Sequence, residues 1–349
     1  MIKKIKDSPA RRYGFFALGW LIIISLIQYH FNYHREDRAV IRMGYMPVIT
    51  NLAAPLLDQA SRKAGDYRFS AIKFTAFAEM AEALLNDHID AAFIIAPLAI
   101  TLRQQGENVK IVYIGNRCES TLVVRKDLNI ENIDDLAGRN LAVPMRYSGH
   151  YLEALRLIEK HSIIPAINIV EMNPPDMASA LVSGALDAYF VGEPFAAQTI
   201  LSGDSEVLYY GEDLNPDFIC NLMLVKQDLI NHNPRAVQHL VSAAARSGIW
   251  AGSHPDQAAQ IASSYWNQPQ KLVYTAMTTP TGRIEYHKFV PDPDEIKKLA
   301  TTMLKSNLSV NSDIEGLVNN NFAKSVDLNN ITDLNSILDS NLLRLNTAH

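Results

Sequence analysis

The sequence contains one segment twice, first as Glu79-Met-Ala-Glu-Ala-Leu-Leu-Asn-Asp-His-Ile-Asp-Ala-Ala-Phe-Ile-Ile-Ala-Pro-Leu-Ala99 and again as Asp176-Met-Ala-Ser-Ala-Leu-Val-Ser-Gly-Ala-Leu-Asp-Ala-Tyr-Phe-Val-Gly-Glu-Pro-Phe-Ala196. Met, Ala, Leu, Asp, Phe and Pro recur at the same places, at a constant offset. A repeated unit of this kind indicates that two parts of the chain are built on one plan.

Each copy predicts a short helix, a buried strand and a loop that contains proline. An acid opens the helix, where it suits the positive end of the helix dipole. Met80, Ala83 and Leu84 then form an apolar stripe at i, i+3 and i+4, which is the spacing of one helix face. Asp90 precedes the apolar run of the strand, and Asp187 does so in the second copy. The rest of the chain continues this alternation, so the predicted fold class is α/β.

Length and composition fit a globular chain of about two domains. The 349 residues include 48% hydrophobic and 20% charged side chains, with a formal net charge of −5. This composition excludes a disordered chain, and the mild acidity argues against general nucleic-acid binding. The two cysteines, Cys118 and Cys220, form no Cys-x-x-Cys pair. No structural zinc site is therefore expected, while a single long-range disulfide stays open as an alternative.

The N-terminus has the layout of an export signal. Five basic side chains between Lys3 and Arg12 precede the uncharged stretch 14–27, and no small-x-small cleavage site follows. We interpret residues 1–38 as a signal peptide or, preferably, as an uncleaved signal anchor that enters the inner membrane through residues 14–27. The basic flank then stays cytoplasmic, and the rest of the chain lies at the periplasmic face of the membrane or in the periplasm.

Further motifs surround the repeat. They are Ile41-Arg-Met-Gly-Tyr-Met-Pro47, Leu122-Val-Val-Arg-Lys-Asp127, Ile133-Asp-Asp-Leu-Ala-Gly-Arg-Asn-Leu-Ala-Val-Pro144, Ala180-Leu-Val-Ser-Gly-Ala-Leu-Asp-Ala188 and Gly192-Glu-Pro194. In this order they resemble the periplasmic solute-binding proteins of ABC importers, in the nitrate, sulfonate, taurine and bicarbonate group, which is related to thiamine-precursor binding proteins. The similarity covers residues 40–305, and its motifs identify a family but no ligand.

The resemblance implies a two-lobe periplasmic-binding-protein fold of type II, with the ligand between the lobes and two crossing hinge strands. Thr121–Val124 and Leu222–Val225 match these strands. Lobe 1 would then comprise residues 39–118 and 225–349, and lobe 2 residues 119–224. The resemblance also implies a small-molecule solute, a permease and an ATPase as partners. It implies no catalytic residue and no cofactor. No metal site is expected either, because His88, His150 and His161 have no ligand-like spacing.

Ligands of open α/β sheets bind beyond the carboxyl ends of strands, beside helix N-termini. The loops expected there carry Thr50, Asn51, Phe77, Glu79, Pro97, Arg146, Tyr147, Ser148, Gly149, His150 and Glu193. Arg146 suits an oxyanion, because a guanidinium donates two parallel hydrogen bonds. Glu193 suits a ligand with an amine or amide donor, unless the carboxyl stays protonated or pairs with Arg146 or another arginine. The sequence leaves these two ligand chemistries open.

Two other functions are alternatives. A membrane-anchored module that senses a ligand, and reports to a membrane partner instead of a permease, would use the same lobes. An enzyme resembling the pyrimidine synthases of thiamine biosynthesis would carry a cysteine-rich motif, whereas this chain has only Cys118 and Cys220. The sequence therefore favours a binding protein over an enzyme.

Overall fold

The computed structural model describes residues 9–33, 38–216 and 218–338. These residues form two compact units, one that ends at Ala39 and one that begins at Val40. All strands found in the described residues belong to the second unit.

The first unit contains one helix, α1 (Pro9–Tyr33). Within the described chain, no helix combines the length and the apolar character that a bilayer crossing requires. The anchor predicted at residues 14–27 falls within α1 and stays a prediction. Lys3, Lys4 and Lys6, which the sequence places on the cytoplasmic side, lie outside the described residues.

The second unit alternates strands and helices along most of its length. Its strands are β1 (Val40–Tyr45), β2 (Arg68–Lys73), β3 (Ala91–Ile95), β4 (Val109–Ile114), β5 (Ser120–Arg125), β6 (Asn140–Val143), β7 (Asn168–Glu171), β8 (Ala188–Gly192), β9 (Ser205–Tyr210) and β10 (Asn221–Lys226). Its helices are α2 (Ala53–Ser61), α3 (Phe77–Leu85), α4 (Ala96–Gln104), α5 (Gly149–His161), α6 (Pro174–Val182), α7 (Phe195–Ser202), α8 (Gly211–Leu214), α9 (Gln227–His232), α10 (Pro234–Ser253), α11 (Pro255–Trp266), α12 (Gln270–Thr278), α13 (Pro293–Lys305) and α14 (Asn321–Lys324).

The strands form two sheets with the same arrangement. The first sheet has the order β2-β1-β3-β10-β4, and the second has the order β7-β6-β8-β5-β9. In each sheet the first three strands run parallel, while the fourth is antiparallel to both of its neighbours. The α/β alternation predicted from the sequence is thus confirmed, and the two halves share one plan.

Two connections pass between the sheets. Residues 115–119 lead from β4 to β5, and residues 211–220 lead back from β9 to β10. The segments predicted to cross, Thr121–Val124 and Leu222–Val225, lie within β5 and β10. Each is therefore the antiparallel strand that the chain enters directly after crossing from the other sheet.

The repeated segment supplies the third strand of each sheet, and its shared aspartate has a structural role. The carboxyl of Asp90 accepts a hydrogen bond from the backbone N–H of Arg42 at 2.7 Å. The carboxyl of Asp187 accepts one from the backbone N–H of Asn140 at 2.9 Å. Both bonds attach the beginning of the third strand to the neighbouring parallel strand. The repeated aspartate thus satisfies a backbone N–H group at the same place in each sheet.

One continuous apolar cluster contains side chains from both sheets and their helices. Met80 of α3 and Met177 of α6 are fully buried in it. Val48, from the loop after β1, and Phe195, which begins α7 after β8, belong to the same cluster. Burial of one such side chain contributes about 2 kcal/mol, so the shared cluster holds the two loops in place.

Candidate functional site

The loops after β1 and β8 meet at the carboxyl ends of their strands. The backbone N–H of Ile49 donates to the carbonyl oxygen of Glu193 at 2.8 Å, so a loop of the first sheet contacts a loop of the second. The two crossings pass the same place. We call the polar residues gathered there the crossing cluster: Thr50, Asn51, Glu119, Ser120, Thr121, His150, Glu193, Cys220, Asn221 and Arg283.

Thr50 and Asn51 form the part of the cluster that the first sheet supplies. Both are fully buried in the short turn before α2. The hydroxyl of Thr50 accepts a hydrogen bond from Asn221 Nδ2 at 2.7 Å, and Asn51 Nδ2 donates to the carbonyl oxygen of Met46 at 3.0 Å. Gly115 packs so tightly on this turn that a Cβ there would collide with the Thr50 carbonyl. The turn is therefore fixed on two sides.

Glu193 is a buried acid with three partners. Its Oε1 accepts from the hydroxyl of Thr121 at 2.7 Å, and its Oε2 accepts from the backbone N–H of Ala197 at 2.8 Å. Burial raises its pKa, while these bonds and the charge of Arg283 oppose the increase. Among the described residues, Arg283 places a basic group close to this carboxyl, with Nη1 3.8 Å from Oε1. Of the alternatives left open for this carboxyl, the pairing is with another arginine and not with Arg146.

Arg283 connects the two parts of the cluster, although nothing in its sequence context marks it. Its Nε donates to Glu212 at 2.6 Å, its Nη2 to the carbonyl oxygen of Ser120 at 2.6 Å and its Nη1 to the hydroxyl of Thr121 at 3.1 Å. The guanidinium also lies 4.2 Å from the ring centroid of Tyr210. The side chain is 4% exposed. Arg283 thus joins the segment after α12 to the beginning of β5.

Glu119, at the end of the first crossing, is a second buried acid. Its Oε1 accepts from the hydroxyl of Ser120 at 3.1 Å, and the thiol of Cys220 lies against the same carboxyl. Burial, reinforced by the negative charge of Glu193, raises the pKa of Glu119 to about 7. This carboxyl therefore changes its charge near neutral pH.

The loop after β6 carries Ser148, Gly149 and His150, of which His150 belongs to the crossing cluster. The hydroxyl of Ser148 accepts a hydrogen bond from the backbone N–H of Tyr151 at 3.1 Å and so caps α5. His150 Nε2 lies 3.0 Å from the hydroxyl of Ser120. Burial lowers the pKa of His150 to about 3, so the imidazole is neutral at neutral pH. This loop therefore offers a neutral polar group to the cluster.

Seven predicted residues have no hydrogen bond to the crossing cluster within the described part of the chain: Phe77, Glu79, Pro97, Arg146, Tyr147, Ser148 and Gly149. Arg146 is exposed; its backbone N–H donates to Glu171 at 2.8 Å, and its guanidinium lies 5.9 Å from the ring centroid of Tyr147. Phe77 and Pro97 are buried at the beginnings of α3 and α4, and Glu79 is exposed in the first turn of α3. Glu79 thus has the position of a helix-dipole acid.

Sequence reasoning missed Glu119, Asn221 and Arg283. Glu119 and Asn221 closely precede the predicted crossing strands, and that position was the available signal. Arg283 lies in an irregular segment between α12 and α13, where no pattern points to the cluster.

A cavity of about 170 Å³ opens between α5 and α13. It is lined by Gly149, Leu152, Glu153, Arg156, Asn215, Phe218, Ile219, Glu295, Lys298, Leu299 and Thr302. Only Gly149 belongs to the site predicted from the sequence. The buried polar groups of the crossing cluster do not line this cavity.

The described residues contain no group of three or more His, Cys, Asp or Glu side chains that could hold a metal ion. Cys118 and Cys220 are both free thiols, so the long-range disulfide that the sequence left open is not formed. The arrangement at the crossing cluster is suited to hydrogen bonding with a small polar molecule.

Residues 35–265 match the model of the NMT1-like family, which is more than half of the chain. The chain belongs to the NMT1-like family. A putative aliphatic sulfonates-binding protein of Bacillus subtilis (strain 168) is 22% identical over 168 residues, which cover 47% of this chain and 49% of that protein. The chain spans about half the length of the curated relatives it matches.

The solved structures that this chain resembles over most of its length include the following two. One is the ligand-binding component of an ABC-type import system from Staphylococcus aureus with zinc bound, at 22% identity and a TM-score of 0.73, covering 83% of this chain and 100% of that one. The other is the periplasmic nitrate-binding protein from Synechocystis PCC 6803, at 14% identity and a TM-score of 0.73, covering 82% and 88%. These similarities establish a mixed α/β fold with two sheets, of the periplasmic-binding-protein type.

Proposed function

We propose that the chain is the extracytoplasmic solute-binding component of an ABC importer. In this proposal residues 39–118 and 225–349 form one lobe and residues 119–224 form the other, and the lobes close on a small polar or anionic solute. The observation that carries the proposal is the contact between Ile49 and Glu193, which joins the two sheets at a buried polar cluster. The sulfonate-binding and nitrate-binding relatives support it. The function needs no covalent chemistry, so the chain is proposed not to be an enzyme.

The proposed ligand contacts come from both lobes. They are Thr50, Asn51, Phe77, Glu79 and Pro97 from lobe 1, and Arg146, Tyr147, Ser148, Gly149, His150 and Glu193 from lobe 2. Closure about a hinge is stabilised when one ligand contacts both walls. Opening would break the Ile49–Glu193 hydrogen bond and would separate Arg283 from Ser120 and Thr121.

Thermal melting of the full chain in mild detergent tests solute capture. The panel contains nitrate, nitrite, bicarbonate, taurine, alkanesulfonates, thiamine precursors and amines. A solute at a hundred times its Kd should add about 2.7 kcal/mol to the free energy of unfolding, which gives a readable increase in Tm. The increase should be reduced in Thr50→Val and retained in Thr332→Val, since Thr332 is exposed. If no solute of the panel raised Tm in a saturable way, the proposed function would be contradicted. The sensing alternative would then be favoured only if a membrane partner were found.

We propose that residues 1–38 direct export, so that the chain acts in the periplasm with a permease and an ATPase as its partners. Cell fractionation tests this location. Recovery in the periplasm, with a shortened N-terminus by mass, indicates a cleaved signal peptide. Recovery of the intact chain at the inner membrane indicates an anchor, and recovery in the cytoplasm contradicts export.

A further inference from the structure

Buried polar atoms without a partner are concentrated in the crossing cluster. Asn51 Oδ1, Glu119 Oε2, His150 Nδ1 and Asn221 Oδ1 are buried and make no hydrogen bond to any described residue. Each of these side chains is at most 2% exposed. Native proteins rarely keep such atoms without a functional reason, because an unsatisfied buried group loses its hydration without compensation.

Direct contacts hold three of these side chains, Glu119, His150 and Asn221, in one patch, and Asn51 follows Thr50 of that patch in the chain. The hydroxyl of Ser120 lies 3.0 Å from His150 Nε2 and donates to Glu119 Oε1 at 3.1 Å. The hydroxyl of Thr50 accepts from Asn221 Nδ2 at 2.7 Å. A single buried thiol, next to Asn221 in the chain, lies against both hydroxyls. Glu119, His150 and Asn221 therefore belong to one patch of contacting polar side chains.

The unpartnered atoms are mainly acceptors. The amide of Asn51 has a fixed orientation, since its Nδ2 donates to a backbone carbonyl and its Oδ1 must then face the other way. A carboxylate only accepts hydrogen bonds when it is ionised. Asn221 adds a third oxygen. What the patch lacks is N–H donors.

The balance of charge points the same way. Glu119 and Glu193 are both buried, and the donors of Arg283 already bind Glu212, Ser120 and Thr121. At a pH above the pKa of Glu119, an anion in the patch would lie against the ionised carboxylate of this residue, in surroundings of low dielectric where like charges repel strongly. Arg146, the arginine that the sequence offered for an oxyanion, is exposed and makes no hydrogen bond to the described residues of the cluster.

We propose that the solute presents N–H donors on a cationic nitrogen group, such as an ammonium, amidinium or guanidinium, to Asn51, Glu119 and Asn221. This inference rests on the proposed function and narrows its solute class. The cationic group takes the place of the missing donors and balances the excess of acidic groups. Any anionic part of the same solute lies away from these three side chains.

Isothermal titration of the full chain tests the solute class with matched probes. Putrescine, agmatine, ethanolamine and benzamidine carry the cationic nitrogen, while nitrate, bicarbonate and ethanesulfonate lack it. Taurine is ethanesulfonate with an added ammonium group. At least one nitrogen probe should bind, and taurine should bind more tightly than ethanesulfonate by about tenfold or more, as expected for a charged hydrogen bond. Binding should weaken by about tenfold in Glu119→Gln and stay unchanged in Glu206→Gln, which alters an exposed acid on β9.

Each other outcome has a distinct meaning. Tight binding of nitrate, bicarbonate or ethanesulfonate, with no preference for nitrogen, overturns the solute class and leaves the proposed function standing. Binding of a nitrogen probe that Glu119→Gln leaves unchanged overturns the assignment to the crossing cluster. Binding by no probe of either kind overturns both the inference and the proposed function.

Discussion

The replacement of Glu119 by glutamine should change how stability depends on pH. Burial raises the pKa of this carboxyl from 4.5 to about 7 in the folded chain. The folded state therefore keeps a proton that the unfolded state releases, and the resulting stability is present below pH 4.5 and lost as pH rises towards 7. One pKa unit corresponds to about 1.4 kcal/mol, so the whole effect is about 3 kcal/mol. Glutamine has nearly the same shape and no charge, so the Glu119→Gln chain should lack this loss.

Urea unfolding at pH 5 and pH 8 measures the effect on the full chain. Between these values the native chain should lose about 2.5 kcal/mol more than Glu119→Gln, after all other titrating groups cancel in the difference. Glu206→Gln is the matched control and should follow the native chain, because Glu206 is exposed. If native chain and Glu119→Gln had the same pH dependence, Glu119 would not be held in an uncompensated buried position, and the reasoning on the crossing cluster would be wrong.

Three further predictions concern His150, Gly192 and the repeated aspartates. Because burial lowers the pKa of His150 to about 3, the free energy of unfolding of the native chain should fall by about 2 kcal/mol more between pH 7 and pH 5 than that of His150→Gln, since the unfolded state takes up a proton that the buried imidazole does not. In Gly192→Ala the new Cβ would lie 2.7 Å from Glu119 Oε2. The free energy of unfolding in urea should therefore fall by about 1–3 kcal/mol. An unchanged unfolding midpoint would mean that the Glu119 carboxyl moves away without cost. Asp90→Ala and Asp187→Ala should each lower the free energy of unfolding in urea by about 1–3 kcal/mol, because each aspartate accepts a hydrogen bond from a backbone N–H at the same place in its sheet. A decrease in only one of the two variants would contradict the shared role.

The repeat made the sheets predictable from the sequence. Met80 and Met177 stand at the same place in the two copies, and both are buried in the core beside the third strand of their sheets. The spacing of apolar residues predicts which face of a helix is buried. The same spacing in both copies therefore predicts the same arrangement of helix and strand in both sheets. The positions of β5 and β10 after the two crossings were likewise predictable, because their sequences resemble each other.

The candidate site was only partly predictable. Thr50, His150 and Glu193 follow or adjoin strand ends, and a rule about strand ends finds them. Arg146 was chosen for its charge, yet it is exposed, because charge says nothing about the direction in which a loop side chain points. Arg283 reaches the cluster from a distant segment through tertiary packing, which no local pattern in one sequence encodes.

The central claim is that two loops, one from each sheet, close on the same solute. Hydrogen exchange of the full chain, followed by mass spectrometry with and without a saturating solute from the titrations, tests it most directly. Peptides that cover residues 46–52 and 192–198 should both exchange more slowly when the solute is bound, because it holds together the loops that the Ile49–Glu193 bond joins. Protection confined to one of the two peptides, or to the walls of the cavity between α5 and α13, would contradict capture between the sheets.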